Sequence, residues 1–261
     1  MVGAEIGNHF ALSKVESSEM FSLDLRHAEC GTLYDDIDSW PGFGKIFLGG
    51  FIYSNISAVS SMDAKKRISW LRRQPTHQCL PQSFEQLAEI LRQAGHEEAA
   101  IEVLIEKNRD QTRRLAKFSL TWFWHHLFDL FAGYGYRPKK AFGWSLGIVL
   151  MGLVFFHFGY AHGLITPTKA DAYEPKGSKT ISVNYPVFSA AIYSMESFVP
   201  LIKLQIADSY APNANLGKVN RISSFTITDG SLLRDYLWLH IIAGWFLTTL
   251  WIGGLTGLIR R

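Results

Sequence analysis

Two windows of this 261-residue chain, residues 142–161 and 237–259, contain no Asp, Glu, Lys or Arg. The first matches the ~20 apolar residues that cross a hydrocarbon core, and the second is slightly longer. Both are expected to span a bilayer, which argues against a purely soluble fold. A mean hydropathy near zero hides this. It averages a charged N-terminal half with a C-terminal half in which six of the eight tryptophans follow residue 120.

The flanks give a direction. Arg137, Lys139 and Lys140 precede the first window, and Arg260 and Arg261 follow the second. The positive-inside rule then makes the expected topology multi-pass, with both termini cytoplasmic. The N-terminus lacks a basic start followed by an apolar core, so the first span is expected to direct insertion itself. Between the spans, residues 187–199 (VFSAAIYSMESFV) form an apolar run that ends at Pro200 and is too short to cross. One reading makes it a re-entrant half-helix, which needs protein or a water-filled cavity around it and so implies an oligomer, a tetramer being favoured. The other rests it on the outer membrane surface.

Ahead of the spans the pattern changes three times. Residues 1–60 alternate apolar and polar positions in short runs separated by turn residues, as strands do. The spacing of Leu12 from Leu23 and Leu25 suggests a coil-by-coil β repeat. Residues 61–117 switch to helical period: one helix capped by Ser61 and ended by Pro75, a second from Pro81 to Gly95, and a third from Glu97. The last two form a helical hairpin of the tetratricopeptide kind. Residues 118–136 bring Trp122, Phe123, Trp124, Leu127 and Phe128 together behind Arg113, Arg114 and Lys117, which suits a helix lying in the membrane interface. Residues 137–261 are the two-span membrane domain. The expected fold is a mostly α membrane protein with two transmembrane helices and an intervening half-helix, preceded by a small β-repeat segment and a cytoplasmic helical hairpin domain.

Little points to catalysis. Composition excludes collagen-like, disordered and disulfide-scaffold classes. Cys30 and Cys79 sit in no CxxC or Cys/His pattern, and no catalytic or metal-binding residue and no cofactor is assigned. His125 and His126 are adjacent and diverge by about 100° on a helix, so they make poor joint ligands. The net charge of +3 does not imply a double-stranded nucleic-acid partner. Clusters at Lys65, Lys66 and Arg67, at Arg72 and Arg73, and at Arg113 and Arg114 are candidate phosphate or anionic-lipid contacts, for a nucleotide, an oligonucleotide or the bilayer.

In the membrane half, Glu196 and Ser197 in the half-helix and Pro200 after it are candidate pore or half-helix residues, Glu196 being a functional candidate by default or a carboxylate that simply faces water. His240, Thr248, Thr249 and Thr256 in the second span are the polar groups available to line a pore or to bond between helices. Gly143 with Gly147, and Gly253 with Gly257, are small-xxx-small pairs that permit close helix packing.

The stretches YSNISAVSSMDAKKRISWLRRQP, GYGYRPKKAFGW, FSAAIYSMESFVPLIKLQIADSYAPN and LRDYLWLHIIAGWFLTTLWIGGLTGLIRR resemble a family of bacterial membrane proteins catalogued as hypothetical membrane-associated oxidoreductases, whose N-terminal part is commonly a longer β-repeat array. No nucleotide fingerprint, paired redox cysteines, or haem or iron–sulfur spacing accompanies that label. More loosely, SAAIYSMESF resembles the pore helix of two-span potassium channels. There Val199, Pro200 and Leu201 stand where the TVGYG filter would follow, which leaves potassium selectivity without its carbonyl ladder. The reading this favours is a channel-like membrane effector gated by a cytoplasmic domain that senses a ligand or partner, with phage defence under nucleotide control as one setting. A membrane-anchored scaffold or sensor without conductance is the first alternative, and a membrane-associated oxidoreductase the second.

Overall fold

The computed structural model describes residues 2–15, 20–75, 80–169, 172–173, 181–222 and 225–256. Cys79, Gly257, Arg260 and Arg261 lie outside the described residues. The chain is about 52% helical, and it divides into two compact units, Met1–Asp129 and Leu130–Arg261.

The first unit opens with β1 (Glu5–Leu12), β2 (Leu23–Asp24), β3 (Glu29–Asp35), β4 (Ile46–Phe47) and β5 (Ile52–Ile56). Strands β1, β3 and β5 form one parallel sheet and β2 pairs in parallel with β4. Phe10 pairs with Leu33 and Leu33 with Ile56, so the chain returns to the same position roughly every 23 residues, as in a solenoid. All three side chains are buried, which is how successive coils supply each other's core.

Helix α1 (Ala64–Leu71) closes this stack. Its cap is Asp63 rather than Ser61: the Asp63 carboxylate accepts the Lys66 amide at 2.9 Å. The helix carries Arg67 and Trp70 into full burial. Arg67 donates through both terminal nitrogens to Asp35, each at 2.7 Å, and Trp40 Nε1 donates to the same carboxylate at 2.7 Å. The Trp40 and Trp70 rings stand 5.0 Å apart, with the Arg67 guanidinium 5.4 Å from the Trp70 ring.

Helices α2 (Pro81–Gln93) and α3 (Glu97–Arg113) form the expected hairpin, turning at Gly95, whose φ of +82° is one that L side chains rarely adopt. Phe84, Leu87 and Leu91 face Ala100, Val103 and Leu104 in its interior. Helix α2 also covers β5: Gln86 Nε2 donates to the Tyr53 carbonyl at 3.0 Å and Gln82 accepts the Gly50 amide at 3.0 Å. The last strand's edge is thereby occupied. Helix α4 (Leu120–Ala132) is tied to α3 by Arg109 gripping Asp129 at 2.8 and 3.1 Å, while Leu120, Phe123 and Trp124 remain exposed.

The second unit is built on α5 (Pro138–Ala161) and the last helix, α8 (Asp229–Leu255), the two helices long and apolar enough to cross a membrane. They pack antiparallel, since Gly254 lies beside Pro138 and Gly159 beside Leu233. Between them in sequence come β6 (Ile165–Pro167), α6 (Ala190–Phe198), α7 (Ile206–Ser209), β7 (Tyr210–Pro212), β8 (Val219–Ile222) and β9 (Phe225–Thr228). Strand β6 pairs with β7 and β8 with β9, both antiparallel. Helix α8 begins earlier than its charge-free window. Thr228 and Ser231 form a capping box that starts the helix ahead of Arg234 and Asp235.

Most of the apolar surface of α5 and α8 points outward. Phe142, Leu146, Leu150 and Phe158 on α5, with Leu239, Ile242 and Trp245 on α8, are all more than half exposed. A helix apolar all round is normally covered in a water-soluble protein. So large an exposed apolar surface marks a site of contact with membrane or protein.

Candidate functional site

The run at 187–199 contains a helix of nine residues, α6, capped by Ser189. It is wedged between α5 and α8 because both give it room. A methyl group on Gly152 would overlap the Ser194 hydroxyl, and one on Gly244 would overlap the Phe198 carbonyl. These two glycines make the close approaches to α6, while Gly159 against Leu233 and Gly254 against Pro138 bring α5 and α8 together. The predicted pairs do not: Gly143 and Gly147 have no atom within 4 Å of a Cβ built on either, so they face outward, and Gly253 is half-buried. The small-xxx-small spacing is present, but the face that packs is set by where α6 inserts.

Ser194 and His240 pin the half-helix. The Ser194 hydroxyl donates to the Val149 carbonyl of α5 at 2.8 Å, and His240 Nε2 lies 3.0 Å from the Ser194 carbonyl oxygen. A carbonyl only accepts, so that ring nitrogen carries the proton. His240 Nδ1 is then the acceptor facing the Tyr236 hydroxyl at 3.4 Å. Three helices are joined by one chain of hydrogen bonds in which buried polar groups satisfy each other. Aromatic rings enclose it: Phe156 stands 5.5 Å and Phe198 5.3 Å from the His240 ring.

Glu196, the candidate carboxylate of the half-helix, is held by the backbone. Its two oxygens accept four backbone amides, from Leu204 at 2.8 Å, Gln205 at 2.9 Å, Ile206 at 3.0 Å and Ala207 at 2.9 Å. Converging amides of this kind form a nest for an anion. The carboxylate closes residues 199–204 into a loop that leaves the end of α6 and turns back toward α7. Ser197 and Pro200 are half-buried near its start, while Leu201 and Lys203 are exposed.

The hydroxyls of α8 and its C-cap are divided. Thr248 is buried and its hydroxyl has no partner among the described residues. Thr249 and Thr256 are exposed and donate to the carbonyls of Trp245 and Ile252 in their own helix, at 2.8 and 3.0 Å. Arg137, Lys139 and Lys140 are exposed at the start of α5.

The basic clusters of the first unit also separate. Arg67 is withdrawn from any phosphate or lipid by burial against Asp35, because α1 turns that side chain inward. Arg72 and Arg113 share Glu106 and Asp110, which neutralises them, and Arg114 is engaged as well. Arg73 donates to the main-chain carbonyls of Trp40 and Pro41, at 2.7 and 3.5 Å. Lys65 and Lys66 are exposed on α1.

Ser194, Tyr236, Gly152, Gly244 and Lys203 were not singled out in the sequence. Lys203 alone carried a signal, as a lone cation after an apolar run. Among the described residues no three His, Cys, Asp or Glu side chains converge as a metal site. No protein-family model, curated protein or solved structure matches the chain.

Proposed function

We propose that the chain is a two-span membrane protein that holds a re-entrant half-helix between its spans, and that copies assemble around that half-helix as a channel-like effector. One observation carries this reading. Ser194 is bonded to Val149 and His240, which lie near the middles of α5 and α8, and Phe198 reaches Gly244 beyond them. Loop 199–204 then turns back, as a re-entrant segment does. Non-helical backbone at such depth is tolerated only beside protein or water, so the exposed side of this loop calls for neighbouring copies or an aqueous path. The exposed Lys203 makes the same demand.

Cations at the start of α5, with the antiparallel packing of α8, favour an arrangement in which the Met1–Asp129 unit is cytoplasmic and senses the gating ligand or partner. The test is recording from reconstituted protein in planar bilayers. Stepwise conductance that disappears in Gly244→Leu is expected; an assembled oligomer that never conducts would contradict the reading.

A second reading, an anchored sensor without conductance, has its own support. Glu196, His240, Thr249 and Thr256 satisfy their hydrogen bonds within a single chain, without a lumen to face. Native mass spectrometry from detergent separates the two: a closed ring, with four copies expected, favours the pore, and a monomer favours the anchor.

A further inference from the structure

We propose that the first unit binds a small phosphorylated, hydroxyl-bearing ligand of sugar-phosphate size in the cleft between the turn at 36–39 and α1. The cleft measures about 640 Å³, within the range of small-molecule sites. One wall carries Lys65 and Lys66 from α1, with Arg73 beside them, and the other carries Asp36 and Asp38. Asp35 also lines the cleft, and its buried carboxylate, bonded to Arg67 of α1 behind it, ties the two walls together.

The charges on these walls are held apart. Lys65 and Lys66 make no ion pair with a described residue, although Asp36 and Asp38 line the same cleft. Arg73 is fixed by neutral carbonyls, and it makes no ion pair with a described residue either. Asp36 is pinned as the acceptor of the Asp38 amide and the Ser39 hydroxyl. Three cations on one side suit a phosphate. Carboxylates opposite suit hydroxyl donors on the same molecule.

The size of the ligand follows from what the other basic residues do. Arg67, Arg72 and Arg113 are consumed by carboxylates, so no basic track continues away from the cleft through them to hold a polyanion. A lone phosphate ester fits what remains. This assignment concerns binding alone, and only its consequence for gating rests on the proposed function.

The experiment is calorimetric titration of the full chain in lipid nanodiscs with ribose 5-phosphate, ribose, inorganic phosphate and a twelve-nucleotide RNA. Ribose 5-phosphate is expected to bind more tightly than ribose or phosphate alone. Lys65→Gln with Lys66→Gln should weaken it by at least about tenfold, and Asp38→Asn by a smaller factor. Both sites are exposed, and an unchanged melting temperature shows that the variants fold. The assignment is overturned if ribose 5-phosphate does not bind at millimolar concentration, if the double lysine variant binds as well as the parent, or if the RNA binds far more tightly through residues outside the cleft. Conductance recorded from the same variants in planar bilayers keeps the two ideas apart: binding without any effect on conductance leaves the cleft standing and removes ligand gating.

Discussion

The two units each bury a carboxylate, and they solve the problem differently. Asp35 meets a cation, Arg67, and an indole N–H from Trp40, in a pocket from which water is excluded. Glu196 meets no cation among the described residues; four backbone amides from the following loop take its place. The difference follows from what each unit contains. The first has Arg and Lys on every helix up to α3, so turning one inward costs little sequence. The apolar windows of the second contain none, and the backbone is the donor that remains. A charge pair is broken by removing one side chain, whereas an amide nest is broken by moving a loop.

The largest expected effect falls on the second unit. Gly244→Leu forces a side chain into the Phe198 carbonyl and should destabilise the second unit by about 3 kcal/mol or more, expelling α6. Gly147→Leu, facing open space, should leave the folded chain unchanged. Protease protection of the α6 segment in nanodiscs compares the two.

Next comes Arg67→Ala, which strands Asp35 and should cost about 3–5 kcal/mol. Adding Asp35→Ala should recover part of that loss, read as denaturant midpoints by tryptophan fluorescence. Glu196→Gln keeps one acceptor oxygen but turns an NH₂ toward the amides, and about 1–3 kcal/mol is expected. Exchange of the amides at 204–207 should rise while that of α1 does not. If both units soften together, the contrast between pair and nest fails.

Smaller still are the titrations in the first unit. Burial pushes the Cys30 thiol up to about 11, from 9.0. Its stabilising contribution is complete below the unfolded value and is lost as the pH rises through the folded one. Alkylation at pH 8 should therefore be slow until the unit unfolds. The Arg26 side chain bonded to Asp24 holds that exposed carboxyl below its ordinary value. Any stability from this pair is present above the ordinary carboxylate range and is lost as the pH falls through the lowered one. Arg26→Gln should raise the Asp24 midpoint in an NMR titration.

What the sequence makes readable are the features encoded locally. A charge-free window, Pro81 opening α2 and Gly95 ending it need no tertiary knowledge. The half-helix is readable too, although Ser189 starts it later than the apolar run suggests. Its partners are not. Arg67 stands among exposed cations in the sequence, and only the Asp35 ladder position shows that it turns inward. Glycine spacing marks 143 and 147, whereas the packing glycines, 152 and 244, are chosen by an insertion no periodicity records. Glu196 looks like an unsatisfied charge until the chain returns to it several residues later.

The central claim is that α6 sits at membrane depth between the spans. Spin labels placed one at a time at Met195, Leu150 and Val183 in reconstituted liposomes test it by power saturation with oxygen and with a water-soluble nickel chelate. Leu150 is more than half exposed on α5, and Val183 is fully exposed ahead of the half-helix. Met195 is expected to track Leu150, reached by oxygen and shielded from nickel. A Met195 label relaxed by nickel as strongly as the one at Val183 would contradict it and lay the half-helix on the membrane surface.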